Sequence, residues 1–368
     1  MKHMKFWALA LCAALLLSLC AACKPAEDTD PSDAPSEEAT QPVEPTAEPS
    51  EEPSDEPAET PDCVEPEEIR LAVLSGPTGV GAAKLLDNID NNGAALSYGG
   101  YTFDIYTDNS ELVAGLSNGE IDSATMASNV AVNLYNKTDG GVKIIAVGTL
   151  GVLHILEGSG GTSINSVEDL RGKTIYSAGQ GANPEYILRY LLQESGLEPG
   201  TDVEIVFADA TEISAKLLSG EIECAMLPVP TATAAIAKGE GQVRAAIDVT
   251  ESWDALKTGS PLVMTAVVAR TEFLETCPDL VDAFLADYEA SINFVNNNID
   301  AAAEIVAGYG LTPSAGIAKQ AIPQCHLTFI DGMDMVVAMS GYYSVLYSID
   351  PAAVGGSLPD DGIYWVNG

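Results

Sequence analysis

The segment LSNGEIDSATM at residues 116–126 recurs, slightly changed, as LLSGEIECAML at residues 217–227. Both copies share the wording Gly-Glu-Ile-acid-x-Ala, and each follows an apolar run, TFDIYT or VEIVFA. Apolar residues at helical spacing precede Gly119 and Gly220, which predicts a helix ending at each glycine. Another apolar run and another helical pattern follow each copy. The repeat therefore predicts two similar βαβ units, although two unrelated units of like pattern would also be compatible with it.

The segments around each copy indicate how these units fold. Asp108 and Asp209 stand where a helix N-cap is expected, since Ser110-Glu111 and Thr211-Glu212 come directly after them. The predicted strands are nearly continuous apolar runs, as in a parallel sheet with helices on both faces. We therefore predict an α/β protein with two lobes, each built on a mostly parallel sheet.

Two such lobes place the carboxyl ends of their strands at a shared cleft, where α/β proteins bind ligands. Four strand-to-helix turns should meet there, and all four are rich in Gly, Ser, Thr, Asn and Pro. The same residues also cap helices and make tight turns without any ligand. The candidate ligand-binding residues in these turns are Ser75, Gly76, Thr78, Gly79, Ser128, Asn129, Gln180, Gly181, Asn183, Pro230 and Thr231.

A family resemblance is carried by SVEDLRGK at 166–173, the Gly-rich turn into PEYILRYLL at 184–192, and LLSGEIECAM at 217–226. From residue 69 onward the chain resembles the solute-binding proteins of ABC importers for nitrate, sulfonates, taurine and thiamine-pyrimidine precursors. The resemblance implies a periplasmic-binding-protein type II-like clamshell, with 69–150 and 266–368 in lobe one and 151–265 in lobe two.

The resemblance also implies a function. A monomer without cofactor or metal would close on a small molecule and deliver it to a permease, and a separate ATPase would drive transport. Two alternatives stay open. One is a sensing or interaction lipoprotein with the same clamshell; the other is an enzyme of this fold such as a thiamine-pyrimidine synthase, whose Cys-Cys-Cys-Phe-Cys run is absent here.

The amino terminus has the pattern of an export signal. Lys2 and Lys5 precede an apolar run of signal-peptide length, and small residues stand before Cys23. We interpret 1–23 as a lipoprotein signal with lipidation at Cys23, which predicts anchoring to the outer face of the cytoplasmic membrane. Cleavage before Cys20, or release of a soluble secreted protein, are the alternatives. Residues 24–68 are acidic and Pro-rich with little to bury, which predicts a disordered tether.

The amino-acid composition restricts the classes of molecule that the protein can bind. The 368 residues include 54 acidic and 16 basic side chains, a net charge of −38, without a Lys/Arg cluster. This argues against nucleic acid as a partner. No CxxC or zinc spacing occurs among the cysteines after Cys23, namely Cys63, Cys224, Cys277 and Cys325, so no metal site is predicted. A disulfide between Cys277 and Cys325 and two buried free thiols are both compatible with the sequence.

The ligand is less determined than the fold. The five arginines after residue 68 lie outside the four turns, which disfavours a bidentate clamp on a sulfonate or carboxylate. A neutral or cationic heteroaromatic molecule is favoured instead, and an anion held only by helix N-termini remains an alternative. The side chains that could stack on the ligand are Tyr176, Tyr186 and Trp253, and those that could meet a positive group are Asp209 and Glu185; each also has an ordinary structural interpretation.

Overall fold

A computed structural model describes residues 68–91 and 95–366. The signal, Cys23, the tether and Cys63 lie outside the described residues. The strands are β1 (Ile69–Leu74), β2 (Tyr101–Tyr106), β3 (Ser123–Ala127), β4 (Val142–Thr149), β5 (Leu153–Glu157), β6 (Thr174–Ser177), β7 (Glu204–Phe207), β8 (Cys224–Pro228), β9 (Arg244–Asp248), β10 (Thr265–Arg270) and β11 (Leu327–Ile330). The helices are α1 (Pro77–Asp90), α2 (Asn109–Asn118), α3 (Ser128–Thr138), α4 (Asn183–Glu194), α5 (Ala210–Ser219), α6 (Thr231–Lys238), α7 (Val249–Ala255), α8 (Thr271–Thr276), α9 (Pro278–Asn297), α10 (Ile299–Gly308), α11 (Ala315–Ala321) and α12 (Gly332–Ile349). Short 3-10 turns span Val167–Leu170, Ile322–Gln324, Pro351–Val354 and Asp361–Ile363.

The strands form two separate sheets. A six-stranded sheet has the order β11-β4-β10-β3-β1-β2, and a five-stranded sheet has the order β7-β6-β8-β5-β9. β1 pairs parallel with β2 and β3, and β6 pairs parallel with β7 and β8, while β10, β11 and β5 run antiparallel to their neighbours. The prediction of an α/β protein with two lobes is confirmed. Most strands of each sheet run in one direction, but the reversed strands β10, β11 and β5 make five of the nine neighbouring pairs antiparallel, so both sheets are mixed. We call the part built on the six-stranded sheet lobe one and the part built on the five-stranded sheet lobe two.

The two copies of the repeat occupy equivalent places. The first spans the end of α2 and β3, the second the end of α5 and β8, and each copied strand lies next to the first strand of its lobe. Asp108 and Asp209 cap the two helices by accepting the backbone N–H groups of Ser110 and Thr211. Gly119 and Gly220 end them with φ angles of 80° and 76°, in the left-handed region that favours glycine. The predicted order of strand, cap, helix and glycine stop is therefore confirmed in both lobes.

Helices bury both faces of each sheet, which explains the uninterrupted apolar strands. In β10 the side chain of Val267 joins the cluster that contains α1 and α9, whereas Val268 joins the cluster that contains α3 and α12. A third cluster lies between the five-stranded sheet and helices α5 and α6. Neighbouring residues of these strands thus point to opposite faces of the sheet and pack against different layers of helices.

The chain passes between the sheets twice, after β4 and again between α7 and β10. The family resemblance implied passages near 148–158 and 260–270. The helices after β10 pack mainly on lobe one, but α12 also contacts α4 of lobe two. Within the described residues, no helix is long and apolar enough to cross a membrane.

Candidate functional site

The strand directions place one edge of each sheet at the passages between the lobes. In lobe one this edge holds the carboxyl ends of β1, β3 and β4 and the amino end of β10, since Thr265 pairs with both Ala127 and Thr149. In lobe two it holds the carboxyl ends of β6, β8 and β9, since Leu153 of β5 pairs with Pro228. The four turns predicted to line a cleft all start from these edges.

The turn from β1 to α1 is shaped by its own backbone. Gly76 has a φ angle of 102°, and an added Cβ would meet nothing within 4 Å, so this glycine borders open space. Ser75 donates its backbone N–H to Tyr106, and Thr78 donates its hydroxyl to the carbonyl of Leu74. A Cβ at Gly79 would lie 2.6 Å from Leu311, so that glycine is required for packing.

The turns after β3 and β6 meet across the lobes. The Asn129 Oδ1 atom accepts the backbone N–H of Asn183 at 3.1 Å, and the Asn129 Nδ2 donates to the carbonyl of Gly181 at 3.3 Å. The Asn183 Nδ2 donates to the Ser128 hydroxyl at 2.9 Å and to the carbonyl of Met264 at 2.8 Å. Ser128, Asn129 and Asn183 are buried. These three candidate residues therefore contact one another between the lobes.

Two buried tyrosines of α12 complete this network. The Tyr342 hydroxyl donates to the Asn183 Oδ1 at 3.1 Å, and the Tyr343 hydroxyl donates to the carbonyl of Ser128 at 2.8 Å. Burial raises the pKa of both phenols far above the ordinary value, so both remain donors at any physiological pH. Sequence reasoning missed both tyrosines, because the largely apolar run around them is typical of an ordinary core helix.

The remaining candidate turn residues lie apart from this network. Gln180 is exposed, and no hydrogen bond of its side chain is found in the described chain. Pro230 is buried and Thr231 half-buried at the start of α6. Val229, just before them, donates its backbone N–H to Val152 and belongs to the same buried cluster as Val80 of α1. The starts of α1 and α6 therefore both adjoin a cluster that spans the lobes.

Two groups of helices differ in whether a side chain caps their N-termini. The N-termini of α2, α5 and α7 are capped by the side chains of Asp108, Asp209 and Asp248. In contrast, α1, α3, α4 and α6, which follow the four predicted turns, have no N-cap side-chain hydrogen bond of their own. For α4 the other lobe supplies an acceptor through Asn129. The first turns of α1 and α6 keep backbone donors that can serve a ligand.

The aromatic and acidic side chains suggested as ligand contacts are mostly engaged elsewhere. Trp253 is fully buried, donates its Nε1 to Ser260, and lies between Tyr190 and Tyr342, so it is a core residue. Tyr186 is buried in the same apolar cluster.

Three further suggested side chains have partners within lobe two. Tyr176 of β6 has Lys216 of α5 at 5.8 Å from its ring centroid, which places it on the α5 face of the sheet. Glu185 accepts the backbone N–H of Gly181 at 2.8 Å and pairs with Arg189. Asp209 is the cap of α5. The ordinary structural interpretation accounts for the contacts of Glu185 and Asp209.

All five arginines of the described chain pair with carboxylates. Arg70 and Arg270 both pair with Asp122, which is nearly buried at the edge of the lobe-one sheet opposite the passages. The other pairs are Arg171 with Asp202, Arg189 with Glu185, and Arg244 with Glu157 at the corresponding far edge of lobe two. No arginine of the described residues is left to clamp an anion where the turns meet.

The two free cysteines of the described residues are buried and poorly suited to nucleophilic chemistry. Burial raises the pKa of the Cys224 and Cys325 thiols to about 12, so neither forms a thiolate nucleophile near neutral pH. Both are free thiols, and Cys325 therefore forms no disulfide with Cys277. No group of three or more His, Cys, Asp or Glu suited to a metal ion is found in 68–91 and 95–366.

The two histidines of the described chain lie at the first passage between the lobes. Burial lowers the pKa of His154, and Asp248, whose Oδ2 lies 4.0 Å from the His154 Nδ1, opposes this only in part. The His326 Nδ1 contacts the carbonyl oxygen of Gly151. Sequence reasoning left His154 undecided between the cleft and a strand; the structure places it in β5, buried beside the passage.

Sequence reasoning missed three buried hydroxyls near the start of α1. Thr149 and Thr265 are paired residues at the passage edge of lobe one, and Tyr288 lies behind them on α9. Their hydroxyls are buried and have no hydrogen-bond partner among residues 68–91 and 95–366. A threonine at the end of an apolar run reads as a strand former, so only its position beside a passage could have revealed it.

These features can be set beside known proteins. The family model described as NMT1/THI5 like matches residues 102–302, a little over half of the chain. The chain belongs to the NMT1/THI5-like family. No curated protein sequence matches this family member significantly.

Many solved structures share the fold of this NMT1/THI5-like chain. An ABC transporter protein from Parabacteroides distasonis is 23% identical with a TM-score of 0.67, covering 81% of this chain and 99% of that one. The periplasmic aliphatic sulphonate binding protein SsuA from Escherichia coli is 16% identical with a TM-score of 0.64, covering 82% and 92%. The ligand binding component of an ABC-type import system from Staphylococcus aureus, solved with zinc bound, is 17% identical with a TM-score of 0.61, covering 82% and 97%. These likenesses establish the periplasmic-binding-protein fold for nearly the whole described chain.

Proposed function

We propose that this chain is the extracytoplasmic solute-binding subunit of an ABC importer, which captures a small organic molecule between its lobes and delivers it to a permease. The observation that carries the proposal is that four strand-to-helix turns start from the strand ends at the passages between the sheets, and that the turns after β3 and β6 contact each other there. Two lobes joined there can close on a ligand, and the ligand favours the closed form by its differential affinity.

The proposal includes the placement of the protein. Lipidation at Cys23 would anchor it to the outer face of the cytoplasmic membrane, and 24–68 would hold the two lobes away from the bilayer as a monomer. Lobe one would comprise 69–150 with 266–368, and lobe two 151–265. The three fold neighbours, an ABC transporter protein, a sulphonate binding protein and an import component, support this role.

The test starts from ligand binding. Thermal-shift measurements on the exported form against pyrimidines, thiamine, sulfonates, nitrate, polyamines and amino acids should give at least one hit. A ligand at a hundredfold excess over its Kd adds about 2.7 kcal/mol of stability, which is several degrees at this size. The same ligand should reduce the radius of gyration in small-angle X-ray scattering.

Delivery is tested in cells. Deletion of the gene should abolish uptake of the ligand found in the screen, and a Cys23→Ala variant should release the protein from the membrane fraction. Undiminished uptake after deletion would contradict the importer role and favour a sensing lipoprotein. Turnover of the ligand by the purified protein would favour an enzyme instead.

A further inference from the structure

The first turn of α1 and three hydroxyls near it form a group of hydrogen-bond donors with unfilled capacity. The backbone N–H groups of Thr78 and Gly79 make no hydrogen bond within the described chain, and Gly76 supplies no cap. Thr149, Thr265 and Tyr288 are all at least nine-tenths buried, and none of their hydroxyls has a partner. Buried hydroxyls are normally satisfied, so each unpaired hydroxyl needs an explanation.

The hydroxyls lie close together on one face of lobe one. A Cβ added to Gly148 would be 2.4 Å from the Tyr288 hydroxyl and 3.4 Å from the Thr265 hydroxyl. A Cβ added to Gly81 of α1 would be 3.6 Å from the same tyrosine hydroxyl. Thr149 pairs with Thr265 in the sheet. Glycine at both 81 and 148 thus lets the backbone of α1 and β4 approach the Tyr288 hydroxyl without placing a polar side chain beside it.

Lobe two contributes to the same region. Val229, directly before α6, belongs to the buried cluster that also contains Val80 and Tyr288, so one cluster connects the start of α6 with lobe one. Thr233, in the first turn of α6, is 5% exposed, and its hydroxyl also has no partner. Each lobe therefore carries unpaired buried hydroxyls on an element that adjoins this shared cluster.

The charges around this region decide the kind of ligand. Every arginine of the described chain is paired with a carboxylate, and Lys84 of α1 pairs with Asp87. Asp108, Asp209 and Asp248 stand at carboxyl ends of strands on the passage edges. A helix N-terminus offsets only a small part of the desolvation cost of a buried ion. An anionic group would lack a counter-charge here.

We infer that Thr149, Thr265, Tyr288 and Thr233, together with the first turn of α1, bind the uncharged oxygen or nitrogen acceptors of a polar ligand. This rests on the proposed function and names its ligand class: a small molecule with carbonyl, amide or ring-nitrogen acceptors and no negative charge. Hydroxyls and backbone N–H groups donate to such acceptors without the cost of burying an ion.

The first experiment needs no ligand. Thr265→Val and Tyr288→Phe remove hydroxyls that the ligand-free protein leaves unpaired, so they should raise its melting temperature by about 2 °C or more. The matched controls remove buried hydroxyls that have partners. Thr312→Val loses a bond to the carbonyl of Ser314, Tyr343→Phe loses one to Ser128, and both should lower the melting temperature.

The second experiment uses matched pairs of compounds: uracil with orotate, nicotinamide with nicotinate, and methanesulfonamide with methanesulfonate. The uncharged member of a pair should stabilise the protein more, and Thr265→Val should weaken its binding about tenfold. Stronger stabilisation by the charged member would overturn the ligand class while leaving the importer proposal intact. A fall in melting temperature for Thr265→Val and Tyr288→Phe as large as for the controls would overturn the assignment of these hydroxyls.

Discussion

Asn129 and Asn183 join the starts of α3 and α4 across the two lobes, because the Asn129 Oδ1 accepts the Asn183 backbone N–H at 3.1 Å. Both residues are buried, and Asn183 makes its remaining side-chain bonds to lobe one and α12. The contact must break when the lobes separate at α4. It therefore joins the lobes through two residues that the sequence analysis suggested as ligand contacts.

Asn183→Ala should shift the protein toward an open form. The substitution leaves the Met264 carbonyl and the Tyr342 hydroxyl without their partner, which costs about 1–3 kcal/mol of the free energy of unfolding. Small-angle scattering should show a larger radius of gyration, and calorimetry a lower melting temperature. Gln193→Ala, on the exposed side of α4, is the matched control and should change neither. An unchanged radius with a lowered melting temperature would mean that the network stabilises the fold without governing closure.

Asp122→Ala should be strongly destabilising. Asp122 is nearly buried and pairs with Arg70 at 2.6 Å and Arg270 at 2.8 Å, so its removal leaves two guanidinium groups facing each other. Loss of one partner of such a pair costs on the order of 3 kcal/mol, which urea unfolding will measure. Asp104→Ala, at an exposed position of β2, should cost less than about 0.5 kcal/mol. A cost for Asp122→Ala as small as that of the control would contradict the prediction.

The stability of the folded protein should decrease at acidic pH because His154 is buried. Burial holds the His154 pKa below its ordinary value of 6.5, so the unfolded chain binds a proton that the folded protein resists. This contribution is fully present above pH 6.5 and is lost as the pH falls toward the lower pKa of the folded state. The melting temperature should therefore drop below pH 6.5, and His154→Gln should flatten this part of the profile. Asp248, Glu251 and His326 are the charged or titratable groups that act on His154, and a profile unchanged by the substitution would contradict the prediction.

Replacing the glycine that ends α2 or α5 should lower the free energy of unfolding by a similar amount in both lobes. Gly119→Ala and Gly220→Ala place a side chain at φ angles of 80° and 76°, and each should cost about 1 kcal/mol in chemical unfolding. Gly308→Ala is the opposing control. Gly308 is the last residue of α10, has no positive φ, and its added Cβ meets nothing within 4 Å, so alanine should be neutral or slightly stabilising. Unequal costs for 119 and 220 would show that the two copies differ in their local strain.

The sequence determined much of the fold through local rules. A strand, an aspartate cap, a helix with apolar residues at helical spacing and a glycine stop are each set by neighbouring residues. The two copies of the repeat were therefore enough to predict one such unit in each lobe. The Gly, Ser, Asn and Pro content of the four turns likewise indicated where the lobes would meet.

Only the tertiary structure decided what those turns contact. Asn183 meets Ser128 and Asn129 because the strand ends of two sheets face each other, and no local pattern records that approach. The same holds for Trp253, enclosed by Tyr190 and Tyr342, and for Thr149 and Thr265, whose hydroxyls stay unpaired. Hydrogen bonding and burial depend on groups far away along the chain, whereas periodicity and capping depend on residues within about one helical turn.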